Sequence, residues 1–372
     1  MTTYRWAPPA PPTPHTDPLS GVLAGGCEWV PVVHSTYGDG EPVEVRVVGG
    51  KVTYSAAMGA HFAVSVSVPR FAGGFDWCPK ADPTHPLARY GQELSVAVRI
   101  TSGTVEEVAQ VATVGIHSWD LSEDGGTVEV TAYGPLKRAE EAGFTVPQSV
   151  RPGGTFASEL TRLAAGTVPL VIDTALVDRA APASLAWGDD RIKAFADLAD
   201  AWPCRIRTDA YGTVWALPPL GEVPTPEARL SDGVGGTVVA APVRDSREGI
   251  PNRVVARGES TSEDRPSVYG FAQIEDGPMS VHGPYGIVTH YYASPLLTTN
   301  AQCFTAAATR LANLTSQART RTVVCAPDPR VRPDMALEVV YDGEATWGWV
   351  VGYELPLVVG QGSMRIDVEV PA

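Results

Sequence analysis

Turn-forming residues set the scale of what this chain can build. Its 372 residues contain 37 Gly and 33 Pro. They cut the apolar text into short segments that end in Gly, Pro or Asp. Proline removes a backbone donor and glycine supplies backbone conformations that other residues avoid, so both end regular elements. A chain cut this often forms short strands joined by turns, with few long helices. Hydrophobic residues at 44% and charged residues at 19% are enough for a packed core and exclude a disordered polymer.

The first twenty residues carry Pro8, Pro9, Pro11, Pro12, Pro14 and Pro18. Such a run favours polyproline II. It reads either as a disordered tail or as an arm lying on a neighbouring subunit. From Glu41 the text alternates. Val43, Val45 and Val47 precede Gly49-Gly50, and Val52 and Tyr54 follow, which predicts a hairpin turning at the glycines. Phe62–Val68, Leu94–Val98, Val111–Leu121 and Thr127–Ala132 read as further strands, the last two flanking a turn at Ser122–Gly126.

The middle of the chain has a different period. Thr155 is placed to cap a helix carrying Phe156, Leu160 and Leu163. Asp189 or Asp190 is placed to start a second, with Ile192, Phe195, Leu198, Ala199 and Trp202 on one face. Cys204–Thr208 and Thr213–Leu217 bracket a turn at Asp209–Gly212. Beyond a proline-rich link, Thr237–Val243 and Asn252–Arg257 read as strands and residues 258–285 as loop. Thr298 or Asn300 is expected to cap a helix whose apolar face is Phe304, Ala307, Ala308, Leu311 and Leu314. Four strands close the chain: Thr320–Cys325, Leu337–Tyr341, Trp347–Leu355 and Met364–Val370.

Two regions share an order of features. Asp82-Pro83, Leu94-Ser-Val96, Val114-Gly115-Ile116, Gly125 and Val128-Glu-Val130 follow one another. So do Asp328-Pro329, Leu337-Glu-Val339, Val351-Gly352-Tyr353, Gly362 and Ile366-Asp-Val368. The expected fold is mainly β with a small α/β domain, containing two related antiparallel β-barrels. The expected domains are a Pro-rich N-terminal arm (1–40), a first β-barrel (41–140), a small α/β domain (150–220) and a second β-barrel (221–372). The last would carry an inserted loop and helix at about 258–317.

Chemistry is sparse. A net charge of −14 excludes a phosphate-neutralising nucleic-acid clamp. It fits simple solubility, and equally a surface past which DNA slides without sticking. Cys27, Cys78, Cys204, Cys303 and Cys325 are odd in number and contain no CxxC, which points to free thiols and cytosolic synthesis rather than to disulfides or zinc. No secretory leader is expected, since Tyr4-Arg5-Trp6 leads into prolines, and no apolar run is long enough for a membrane span. There is no GxSxG, P-loop or HExxH, and no two of the seven histidines are spaced i,i+4. Cys27 with His34 would be a thiol and base without a helix N-terminus to activate the thiol. Asp189-Asp190 and Glu106-Glu107 are adjacent carboxylates, which rarely meet across a sugar. Trp187, Trp202 and Trp215 could form a sugar platform, although Trp202 lies on an apolar helix face. Trp347 and Trp349 are expected to alternate outward and inward, at least one of them meeting a partner. No catalytic, cofactor or metal residue is assigned, and no enzyme activity is expected.

Three stretches carry a resemblance to a known family. The first runs from Asp82-Pro83 to Tyr90-Gly91-Gln-Glu-Leu94, with Val111–Trp119 and Tyr133-Gly134-Pro135-Leu136. The second is Ala194–Trp202 with Arg205, Asp209, Gly212 and Leu217. The third is Ala306–Leu314 with Pro327–Met335 and Trp347–Gly352. Together they resemble the tail hub proteins of long-tailed bacteriophages, also called baseplate hub or tail-associated minor tail proteins. The resemblance implies a homotrimeric ring in which two barrels per subunit give six positions. That ring would mate with a hexameric tail tube or distal tail ring and hold a threefold central fibre or spike. Further implied partners are the tape measure protein and DNA passing through the lumen without specific binding. The implied place is the virion tail tip, after synthesis in the host cytoplasm and with no membrane insertion by this chain. The other reading is a carbohydrate-binding β-sandwich module of a cell-wall-active protein, and a peptidoglycan hydrolase finds no room in residues 41–370.

Overall fold

The computed structural model of the chain describes residues 26–57, 59–102, 105–221, 225–242, 249–258, 268–294, 297, 299–316, 320–358 and 360–370. The run Pro8–Pro18 lies outside the described residues. The chain divides into two compact units, Met1–Ala241 with Thr322–Val368, and Pro242–Arg321 with Glu369–Ala372.

The first unit opens with β1 (Glu28–Tyr37), β2 (Val43–Val45), β3 (Gly49–Ser55) and β4 (Phe62–Pro69). A short hairpin, β5 (Phe71–Ala72) and β6 (Phe75–Asp76), precedes β7 (Gln92–Ser102), β8 (Val105–Leu121) and β9 (Thr127–Tyr133). Then come α1 (Leu136–Glu141), β10 (Gln148–Ser149), α2 (Phe156–Ala164), β11 (Leu170–Ile172), β12 (Ala186–Trp187), α3 (Arg191–Ala201), β13 (Arg205–Thr208) and β14 (Val214–Leu217). After β15 (Ala228–Ser231) and β16 (Val238–Ala240), the second unit holds β17 (Arg253–Gly258), β18 (Tyr269–Gln273), β19 (Thr289–Ser294) and α4 (Asn300–Ser316). The chain then returns as β20 (Thr320–Cys325), β21 (Ala336–Tyr341), β22 (Glu344–Pro356) and β23 (Met364–Glu369).

The β regions do not form two separate sheets. They form one 13-stranded sheet in the order β16-β20-β23-β22-β3-β4-β9-β8-β7-β1-β2, with β21 on β22 and β15 on β21. Among the described residues no ring of pairings closes either half into a barrel. In β4, Phe62, Val64, Val66 and Val68 are buried and the residues between them only half-buried. Period-2 patterning of this kind buries one face of a sheet without requiring closure. The buried face is continuous. Val52, Tyr54, Phe62, Leu94 and Ile100 share one core with Leu337, Val350, Leu355 and Ile366.

The repeat reappears as topology. Six strands of the first half lie in the order β3-β4-β9-β8-β7-β1. Six of the second lie in the order β16-β20-β23-β22-β21-β15, and each matches its counterpart in chain order. The halves differ at the outer strand. β1 is antiparallel to β7, whereas β15 is parallel to β21.

Residues 135–217 carry three of the described helices and a mixed three-stranded sheet, β11-β14-β13. Local signals hold here. Thr155 and Ser158 exchange bonds in a capping box on α2. The Asp190 side chain accepts from the Lys193 N–H at the start of α3. Asp209 accepts from the N–H groups of Tyr211 and Thr213 and so builds the β13–β14 turn. The second unit packs α4 on the sheet β18-β17-β19, with Val254, Ala256, Cys303, Ala307 and Leu311 as its core.

Four sequence expectations need correction. Residues 43–54 do not form a hairpin, since β2 pairs with β1 and Gly49-Gly50 lie inside β3. Gly50 has φ +138°, and a Cβ there would sit 2.2 Å from the Ser65 carbonyl oxygen. Glycine serves close backbone approach here rather than a turn. Residues 258–285, read as loop, contain β18, and 259–267 lie outside the described residues. The α4 cap is Thr299, whose side chain accepts from the Gln302 backbone N–H while the Gln302 side-chain Oε1 accepts from the Thr299 N–H. The buried face of α4 runs through Cys303, Ala307 and Leu311, leaving Phe304 and Ala308 exposed. The small Cys303 and Ala307 let the helix meet β18, where a Cβ on Gly270 would lie 2.4 Å from the Phe304 nitrogen.

Gly50→Ala should lower unfolding stability by at least about 3 kcal/mol, because the added methyl meets backbone that has no room to shift. Urea denaturation followed by tryptophan fluorescence measures it.

Candidate assembly surface

Three segments meet at one buried polar cluster. β13 places Arg205 and Arg207 two residues apart, hence on one face. Both pair with the carboxylate of Asp334, the second with Arg207 Nε at 3.1 Å from Oδ1. The Asp334 side chain is only 6% exposed. From the β3–β4 turn, His61 places Nδ1 3.1 Å from Thr208 Oγ1. His61 and Asp334 both have positive φ, 57° in each case. Tyr54 stacks on Tyr353 across the β3–β22 pair at 5.4 Å between ring centroids and also faces His61. Burial pushes the phenols of Tyr54 and Tyr353 up. The Tyr54 hydroxyl has no hydrogen-bond partner among the described residues. Burial, and then the Arg207 charge, hold His61 down at about 4. This cluster ties the middle segment to both halves of the sheet. Sequence reading passed over it, although the i,i+2 arginines were a legible signal.

The sequence candidates for chemistry separate. Cys27 and His34 lie seven residues apart along an extended strand, about 23 Å at the usual rise. Burial pushes the Cys27 thiol up, opposite to what a nucleophile needs. Asp190 is a helix cap. Glu106 and Glu107 are consecutive in β8, paired opposite Thr101 and Ile100, and so point to opposite faces. Trp187, Trp202 and Trp215 are all buried, so no aromatic platform exists at these positions. Trp202 stacks on Phe156 at 5.9 Å and donates to the Val177 carbonyl, as its place on the helix face implied. Trp347 and Trp349 do not alternate, because residues two apart in a strand share a face. Trp347 is 44% exposed and Trp349 half-buried. The five cysteines are free thiols. Among the described residues no three His, Cys, Asp or Glu side chains gather as metal ligands, and no helix is long and apolar enough to cross a membrane.

What the surface does present is contact area. In the first unit Phe71, Phe75, Tyr37 and Tyr90 are exposed. In the second, the sheet face away from α4 carries Arg253, Val255, Arg257, Tyr269, Phe271 and Gln273 around a groove of about 690 Å³.

The first unit thus combines a duplicated strand order, one shared core and exposed aromatics. The sequence itself matches no family model and no curated protein. Solved structures do share the fold. The tail protein from Neisseria meningitidis MC58 is 14% identical with a TM-score of 0.65, over 91% of this chain and 96% of that one. The 43 kDa tail protein of prophage MuSo2 from Shewanella oneidensis is 11% identical with a TM-score of 0.62, over 91% and 98%. Prophage tail protein gp18 from Listeria monocytogenes EGD-e is 9% identical with a TM-score of 0.52, over 91% and 93%. At these identities the likeness is one of fold. The chain has the fold of phage tail proteins, as the sequence resemblance implied.

Two outcomes test the polar cluster. Asp334→Asn keeps the backbone conformation but removes the buried charge that Arg205 and Arg207 share, and should cost roughly 3 kcal/mol in urea denaturation. His61 titrates lower in the folded chain than in the unfolded chain, so its contribution is fully present above pH 6.5. It is lost as pH falls from 6.5 toward 4, a total of about 3 kcal/mol. His61→Asn should flatten the stability profile in that window, and an unchanged profile would refute the assignment.

Proposed function

We propose that the chain is a structural subunit of a bacteriophage tail tip, a hub protein that assembles as a homotrimeric ring. The observation that carries this reading is the doubled six-strand order within one sheet. Two equivalent halves per subunit give six equivalent positions in a trimer. Such a ring can meet a hexameric tail tube or distal tail ring on one side and a threefold fibre or spike on the other. Each half would then act as one of two related barrel-like modules, with the small α/β segment between them. The tape measure protein and the DNA would pass through the ring. The net charge of −14 supports a lumen along which DNA slides without binding. The fold shared with phage tail proteins supports the class, although shared fold alone does not fix function. The protein would be made in the host cytoplasm, act without catalysis and reside in the virion. The sugar-binding alternative loses its support, since its three tryptophans are buried.

Light scattering at micromolar concentration should give three chain masses, and negative-stain images should show a ring with a central hole. A compact trimer without a hole would overturn the channel, and a dimer or tetramer would overturn the threefold reading.

A further inference from the structure

The matched strand orders leave one junction filled and one empty. Over Gly352–Pro356, β22 lies between β23 on one edge and β3 on the other. The counterpart of β22 is β8. Gly115 of β8 pairs with Glu93 of β7 and with Tyr133 of β9, so those two partners occupy opposite edges. β7 pairing stops at Gly115, while β9 continues to Leu121. Over Ile116–Leu121 the edge of β8 away from β9 therefore has no strand beside it among the described residues. The counterpart of β3 is β16, which among the described residues pairs with β20 and ends the sheet. In the first half, then, a β8 edge lacks the strand that β22 has. In the second half, a β3-like strand lacks the partner that β3 has.

The two open edges also match in chemistry. β3 meets β22 with Val52 and Tyr54 facing the core and Lys51 outside, where it pairs with Glu354 at 2.9 Å. β16 places Val238 in the core and Val239 outside, 65% exposed. β8 places Ile116 in the core, Trp119 partly against it, and His117 and Asp120 outside. Exposed strand edges are normally blunted by charge or covered, because their free N–H and C=O groups recruit other strands. β16, Val-Val-Ala, carries no charge.

We propose that β16 of one copy pairs with the free β8 edge, Ile116–Leu121, of a second copy of this chain. This rests on the ring reading above and names its contact. The junction repeats β3–β22 across the subunit boundary, so filled and empty positions alternate around the ring as first half, second half, first half. The contact joins two different surfaces head to tail, and such contacts close into rings when the rotation per subunit divides the circle. Main-chain pairing at a sheet edge supplies the affinity.

Single cysteines test it in a background with the half-buried Cys27 and Cys204 changed to Ser. Val239→Cys protein is mixed under oxidising conditions with His117→Cys, Ser118→Cys or Asp120→Cys protein. A covalent dimer should appear in at least one mixture and in neither protein alone. A chain carrying both substitutions should give a ladder that ends at three. A ladder ending elsewhere keeps the strand contact and overturns the trimer. Dimers from Val239→Cys alone would mean a self-complementary contact and overturn the pairing. Uncrosslinked mixtures of a chain that light scattering shows to be trimeric would overturn the pairing and leave the ring. A chain that stays monomeric and uncrosslinked up to hundreds of micromolar would overturn both.

Discussion

The pairing of β3 with β22 is the interaction on which the rest of this fold depends. It brings residues 51–55 against residues 352–356, almost the full length of the chain apart. Without it there would be two half-sheets, each with an open edge and a truncated core. With it, Tyr54 stacks on Tyr353 and the apolar faces of both halves fuse. The Lys51–Glu354 pair on the outer side is half exposed and adds little. Main-chain bonding and apolar burial carry the junction. Trp29 reinforces it from β1 by donating its indole N–H to the Leu357 carbonyl.

The middle segment then fixes the angle at which the fused halves are held. A buried carboxylate shared by two guanidinium groups tolerates little displacement, since any shift leaves charge unpaired in a low-dielectric site. Asp334 belongs to the second half, Arg205 and Arg207 to β13, and Thr208 reaches His61, just before β4. A second tie runs from the Thr113 hydroxyl on β8 to the Ala210 carbonyl.

What the sequence disclosed follows from the range of the interactions involved. Thr155, Asp190 and Asp209 were legible because a cap or an Asx turn is settled within four residues. Phe195, Leu198 and Trp202 were legible because a helix face is settled within two or three turns. Gly49-Gly50 misled because glycine serves tight turns and close approach alike, and only the non-local Ser65 backbone decides between them. The face of α4 was set by Gly270, which a helical wheel does not contain. The expectation of two related barrels met an unclosed sheet among the described residues for the same reason. Alternation says that a strand has one buried face, and it is silent on which strand lies beside which. The polar cluster was hidden because its members come from three segments that meet only after the sheet has formed.

The repeat is the exception, since a weak sequence signal became a strong structural one. Five short matches would occur by chance in many β proteins. Six strands in the same spatial order and the same chain order are far harder to reach independently. The places where the halves diverge are informative too. At the end that carries β1, the sheet is finished by the three-residue β2, flanked by Glu41 and Pro42 and bearing Glu44. A short, charged strand beside a proline is how a sheet end is made inert. The end at β16 has an uncharged strand with an exposed valine. One end of the sheet is therefore built to stop, and the other, among the described residues, ends in an uncharged strand. That asymmetry is what the proposed pairing of β16 with the β8 edge of a second copy would use.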